Sequence, residues 1–253
     1  MNILVTGATG RLGRALTPAL VQAGHPVRAT SRTARRGGGV DWVRADLTSG
    51  EGVDAAVDGM DAVIHLAAAP YRRGYTRLVE VDGTRRLVES ATRARVTHLV
   101  YLSIVGVDRV PWGYYRTKVE AEAIVTAGAV PWTVLRVTQF HDLLDEIMTK
   151  LARLPVLVTD PGIPAQPVDV RDVARYLVGR LAGPPARAVE EFGGPEVLDP
   201  REAARDWLAA RGVRRPLLPL AVPGRLGRAF RSGALTTGTP GRGRITWRQY
   251  LGG

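Results

Sequence analysis

The chain has 253 residues, 45% of them hydrophobic and 23% charged, a balance of globular rather than disordered composition that suits one α/β domain with a real core. It has no cysteine, and His25, His65, His98 and His141 lack ligand spacing, so disulfides are excluded and no metal site is expected. No apolar run reaches membrane-span length and no leader precedes the first apolar run, so a cytoplasmic protein is expected, and the net charge of +11 is arginine charge with lysine only at 118 and 150.

In chain order, residues 2–5 (NILV) read as a strand, followed by a glycine loop and a helix over 11–23 that stops at Gly24. Strands are expected at 26–30 and 40–44, a short helix at 51–57, and a strand at 61–67 apolar enough to be buried on both faces. Helical spacing of leucine and valine predicts a helix over 75–94, then a strand at 97–103, a helix over 114–127 and a sixth strand at 132–137. This alternation predicts an α/β fold of Rossmann type, a doubly wound parallel sheet. Residues 1–138 would form the dinucleotide-binding domain, and 139–253 a small C-terminal substrate-binding lobe that is not an independent domain. In that second part, helices are expected at 143–151, 170–181 and 201–210, and a weak one at 224–231 in a stretch rich in Pro, Gly and Arg.

Thr6–Gly13 reads TGATGRLG, directly after a strand and opening a helix. Gly7 would permit the turn, Gly10 would let the backbone approach a pyrophosphate, and Gly13 would let helix and strand pack closely, with phosphates at the helix N-terminus. Thr9, Arg11 and Leu12 complete the expected cradle. NAD-binding versions carry an acid at the end of the second strand for the ribose 2′-hydroxyl. No Asp or Glu precedes Asp41 here; Ser31 and Arg32 stand in that place, with Arg28, Arg35 and Arg36 nearby. A guanidinium pairs with a 2′-phosphate, so NADP(H) is the expected cofactor, read by Ser31 and Arg32. One or two of the other arginines would simply be solvated.

Tyr114 and Lys118 form a Tyr-x-x-x-Lys pair at the start of the fifth expected helix. Spaced i,i+4, they share a face, and an adjacent ammonium would lower the phenol's pKa and make it a usable proton donor. Lys118 would also reach the nicotinamide ribose, and Ser103, ending the fifth strand, would hold a substrate oxygen. In a chain that uses arginine almost everywhere, a lysine kept at 118 points to the smaller, tunable cation.

TGATGRLG, His65-Leu66-Ala67-Ala68, Ser103 and Tyr114-x-x-x-Lys118 together resemble the short-chain dehydrogenase/reductase superfamily, in its extended and atypical branches and especially the NmrA-like NAD(P)H-binding reductases. The resemblance covers about residues 1–182 and includes Gln166–Ala174, similar to that branch's PVDVxDVA segment. It implies that Asp46, beside Leu47, touches the adenine, that Ala67 and Ala68 lie along the cofactor, and that Val137, Thr138 and the backbone to Phe140 flank the nicotinamide. The interval from Ser103 to Tyr114 is shorter than in typical extended members.

Fainter signals are Phe140 and His141 as substrate contacts, with a structural histidine the competing reading, and Trp112 as a lid or a packing residue. Nine arginines and no acid lie beyond Asp206, which leaves the first 206 residues near neutral. No docking motif accompanies them, so no nucleic-acid partner is expected; a small-molecule substrate is, and a homodimer is compatible. The leading function is an NADP(H)-dependent oxidoreductase acting on a small carbonyl, quinone or conjugated acceptor. The alternatives are a non-catalytic NADP(H) sensor of NmrA type and a nucleotide-sugar epimerase or dehydratase.

Overall fold

The computed structural model describes residues 1–69, 72, 74–237 and 241–253. Its main sheet is the parallel, doubly wound sheet expected from the alternation, built from β1 (Ile3–Thr6), β2 (Val27–Ser31), β3 (Asp41–Arg44), β4 (Ala62–His65), β5 (His98–Ile104), β6 (Trp132–Val137) and β8 (Val189–Phe192) in the order β3-β2-β1-β4-β5-β6-β8. β1 sits mid-sheet with Leu4 opposite Arg28 of β2 and Val63 of β4. Every residue of β1 and β4 is buried, which is what continuous apolar strands covered on both faces require. The strand order reverses between β1 and β4, and at such a switch point the carboxyl ends of the strands leave a crevice for ligands.

Two compact units divide the chain, each discontinuous in sequence: Met1–Ser103 with Gly113–Arg136 and Ala174–Glu190, and Ile104–Trp112 with Val137–Val173 and Glu191–Gly253. In the first, α1 (Arg11–Gln22), α2 (Val53–Val57), α4 (Gly83–Arg93) and α5 (Gly113–Ala127) accompany the strands. Leu4, Val63, Leu99, Tyr101 and Val134 of the strands pack with Val57, Leu87, Val88, Ala121 and Val125 of the helices. Burial of such side chains contributes about 25 cal/mol per Å2 of apolar surface removed from water and is the main force holding the layers together.

The single helix expected over 75–94 is interrupted. A short α3 (Tyr75–Arg77) passes into a π-helical turn, Leu78–Asp82, before α4 resumes. Val79, Glu80 and Val81 are consequently buried in succession while Leu78 is 43% exposed.

The second unit is built around α6 (His141–Leu151), α8 (Pro200–Ala210), α10 (Trp247–Gly252) and a two-stranded parallel sheet of β7 (Leu157–Thr159) and β9 (Leu217–Pro219). Met148, Leu157, Ala203, Ala204, Trp207 and Trp247 form its core. α7 (Val170–Leu181) and α9 (Gly224–Arg231) run over the residues expected from the sequence. β7, β8, β9 and α10 were not expected. They are three to six residues long, and β8 (VEEF) carries two acids, so none presents a readable period.

Candidate active site

The glycine loop joins β1 to α1. Gly7 has φ +67°, and a Cβ there would lie 2.6 Å from the Ala67 nitrogen; a Cβ at Gly13 would lie 2.5 Å from the Ala8 Cα. Both positions therefore exclude any side chain. Gly10, exposed at the N-cap of α1, would bring a Cβ no nearer than 3.2 Å to Gly7 O, so its missing side chain leaves room above the loop. Arg14 donates the first helical hydrogen bond, to Gly10 O, and the first turn has no acid. Its N–H groups and the helix dipole thus favour an anion. A backbone cradle with two barred side chains and one open face fits a dinucleotide pyrophosphate. Thr9 and Arg11 are exposed beside it, and Leu12 is buried under α1.

At the end of β2, Arg35 Nε donates to Ser31 Oγ at 3.3 Å, and Arg32 donates to the Tyr75 hydroxyl at 2.9 Å. Arg28 is committed elsewhere, to Asp41 and the carbonyls of Ala55 and Asp58. Asp46 accepts from the Thr48 amide and hydroxyl; burial opposes its charge, but these bonds and the charges of Arg32 and Arg86 hold it below the usual carboxylate range. The neighbouring Leu47 carbonyl accepts from Arg86. Ala67 is half-buried and Ala68 exposed, on the loop after β4.

Around the Tyr-x-x-x-Lys pair the polar groups are buried. Lys118 is 4% exposed and donates to the Tyr101 hydroxyl at 3.2 Å and to Leu102 O at 3.1 Å. Its third side faces Glu80 Oε2 at 3.1 Å. Glu80, fully buried in the π turn, also accepts from the Ala69 amide at 3.1 Å. Burial disfavours the Lys118 ammonium, but Glu80, Tyr101 and Tyr114 outweigh it, so the lysine stays charged beyond its ordinary range. The Tyr114 phenol moves opposite to the expectation. Burial raises its pKa and Glu80 adds to the rise, which together outweigh the lowering by Lys118.

Ser103, on the residue after Leu102, is 3% exposed, and its Oγ has no hydrogen-bond partner. His65 lies between Thr6 Oγ1 (2.7 Å) and Thr84 Oγ1 (3.0 Å), and burial holds it neutral with a pKa of about 3. Tyr115, 6% exposed, is packed inward, and its burial and Tyr114 push its phenol up to about 12.

The remaining expected residues fall in the second unit. Val137 is buried, and the Thr138 hydroxyl accepts from the Gly194 amide at 3.2 Å. Phe140 caps α6 and bridges Val168. His141 is fully buried, 3.8 Å from Asp169 Oδ2, with its ring against Trp247 and Tyr250. Trp112 is 36% exposed. Among the described residues no three His, Asp or Glu side chains gather as metal ligands, and no helix is long and apolar enough to cross a membrane.

The profile of the NAD(P)H-binding family matches residues 7–184, from the glycine loop through α7. The chain belongs to that family. Within the short-chain dehydrogenase/reductase superfamily it is 33% identical, over 85% of its length and 75% of the relative's, to (4-alkanoyl-5-oxo-2,5-dihydrofuran-3-yl)methyl phosphate reductase of Streptomyces griseus. It is 28% identical to photosystem II assembly factor Ycf39 of Trieres chinensis over 73% of its length, and spans only 60% of that protein. Its fold is similar to that of a nucleoside-diphosphate-sugar epimerase from Staphylococcus aureus, with TM-score 0.83, 19% identity and full coverage of both chains. As a member of the family the chain has a nicotinamide cofactor as its ligand and reductases among its relatives.

Glu80 is the residue the sequence reading missed. Its only signal is an acid flanked by two valines in a segment otherwise rich in arginine.

Proposed function

We propose that this chain is an NADP(H)-dependent oxidoreductase that reduces a small carbonyl, quinone or conjugated acceptor. The observation that carries the reading is that the lysine of the Tyr-x-x-x-Lys pair is anchored at the carboxyl end of β5. Lys118 is anchored to Leu102, the unpartnered Ser103 hydroxyl follows, and Tyr114 stands one helical turn from Lys118. The name of the Streptomyces relative adds weight, since its substrate couples an alkanoyl group to an oxo-dihydrofuran.

The cofactor would lie on the Gly7–Gly13 loop and supply or take up the hydride. Ser31 and Arg32 would read the 2′-phosphate, supported by the absence of any acid before Asp41 and by Arg35 at Ser31. Asp46, Leu47, Ala67, Ala68, Val137 and Thr138 remain its proposed flanking positions. Ser103 orients the acceptor oxygen. Tyr114 breaks its O–H bond to place the proton on that oxygen, and the phenolate regains a proton from water. Lys118 acts through its charge, because it already donates to Tyr101 and Leu102 and lies against Glu80 as an ion pair. His141, fully buried against Trp247 and Tyr250, is assigned to packing.

That same engagement of Lys118 favours a second reading, a non-catalytic NADP(H) sensor. Oxidation of NADPH against a panel of carbonyls and quinones, with Tyr114→Phe as control, separates the two. Tyr114-dependent oxidation supports the reductase; tight NADPH binding with none supports the sensor. Arg32→Glu is expected to lower the preference for NADPH over NADH at least about tenfold by loss of a charge-assisted pair, and equal or tighter NADH binding by the native chain removes the NADP(H) assignment.

A further inference from the structure

A lysine ammonium beside a phenol, left alone, pulls the phenol toward its ionised form. Here the ammonium is not alone. Glu80 Oε2 lies 3.1 Å from Lys118 Nζ, both side chains are at most 5% exposed, and water cannot screen the pair. The contact lies off the line of a hydrogen bond, so Oε2 keeps acceptor capacity. Oε1 accepts from the Ala69 amide, which ties the carboxylate to the loop after β4.

We propose that Glu80 is a positioning residue of the reaction centre: paired with Lys118 one helical turn from Tyr114, it offsets the ammonium's pull on that phenol and biases the site toward giving a proton to a substrate oxygen over taking one. What the proton is used for rests on the reductase reading above; where the proton is held does not.

The groups around Glu80 agree. From α5 come Lys118 and Tyr114, and from β5 the Tyr101 hydroxyl, itself a neutral phenol and an acceptor for Lys118. From β4 comes His65, joined to the turn through Thr84, whose hydroxyl also donates to the Glu80 carbonyl. His65 is neutral above a pKa of about 3 and adds no charge near pH 7. Across α3 and α5, Arg77 pairs with Glu120 at the surface, both about half exposed and screened by solvent. The charges that decide the protonation of Tyr114 are therefore one ammonium and one carboxylate, which nearly cancel. Burial then favours the uncharged phenol. The π turn makes this possible by turning Glu80 inward between Val79 and Val81.

The test is an ultraviolet titration of tyrosine ionisation in the full chain, with the Tyr114 contribution taken as native minus Tyr114→Phe. In the native chain Tyr114 is expected to ionise after an ordinary phenol, and in Glu80→Gln its midpoint is expected to fall by at least about one pH unit, a tenfold change in proton affinity. Glu80→Asp, which keeps the charge, should restore the late midpoint. A Tyr114 midpoint at or below the ordinary phenol value in the native chain overturns the proposal, and this arm holds even if Glu80→Gln fails to fold. An unshifted midpoint in folded Glu80→Gln overturns it as well. Where turnover is found, the pH profile of the reverse, oxidative reaction should move acidward in Glu80→Gln by the same tenfold. If the titrations come out as expected and no acceptor is ever reduced, Glu80 keeps its proton-holding role and the reductase reading alone falls.

Discussion

In the first unit the buried Glu80 and Lys118 face each other, with a tyrosine beside them, whereas in the second Asp172, Asp160 and Gln166 are spent on the backbone of loops. Asp172 Oδ2 accepts the amides of Arg244 and Ile245, Asp160 accepts those of Val222 and Gly162 together with the Arg231 guanidinium, and Gln166 Oε1 accepts that of Thr237. The reason lies in backbone accounting. Parallel strands and helices satisfy their own N–H and C=O groups, which leaves side chains available for chemistry. A loop-rich unit must borrow side chains to do the same work. Chemistry and scaffolding are thus divided between residues of the same types.

The largest effect that would sharpen this contrast is on Tyr114. Tyr114→Phe, which removes the proposed proton donor, is expected to lower turnover about 10²–10⁴-fold, with NADPH affinity unchanged; equal turnover in the variant would remove Tyr114 from the chemistry. In the second unit Asp172→Ala should leave two amides without their acceptor and cost on the order of 2–4 kcal/mol. Urea unfolding measures the loss, and hydrogen exchange at 244 and 245 locates it. A fall of similar size in turnover at unchanged stability would break the division of labour proposed for the two units.

Gly13→Ala forces a methyl to within 2.5 Å of backbone at Ala8, an overpacking worth about 1–3 kcal/mol, and should weaken NADPH binding in the folded fraction by disturbing the loop. Stability should also depend on pH. Burial lowers His65 to about 3 and His98 to about 4, both below the unfolded value of 6.5. Between those values the unfolded chain binds more protons, so the stability these neutral histidines contribute is whole above about pH 6.5. It falls as the pH drops, by at most about 1.4 kcal/mol per pH unit for each. Replacing both by Gln should flatten the stability curve between pH 4 and 6.5, and a curve of unchanged slope would assign the acid sensitivity to the second unit, where His141 is shifted the same way.

Much of the fold was legible because its signals are local. A glycine that must adopt positive φ, an apolar run of strand length and a helix stop each depend on neighbouring residues, and the helices at 170–181 and 224–231 and the strand at 132–137 begin and end where the residues say. The same locality explains the failures. Steady helical spacing hid the π turn, because a turn of that kind is decided by what the helix packs against. The expected effect of Lys118 on Tyr114 came from a correct rule applied to two residues, when the site holds a third.

The sequence by itself determined the doubly wound sheet and the dinucleotide cradle, since periodicity and glycine sterics act over a few residues. Only the tertiary structure decided the charge state around Tyr114. Glu80, Tyr101 and Lys118 lie on three separate elements, and the packing of α5 against the π turn and β5 brings them within hydrogen-bond reach in a place that water does not enter.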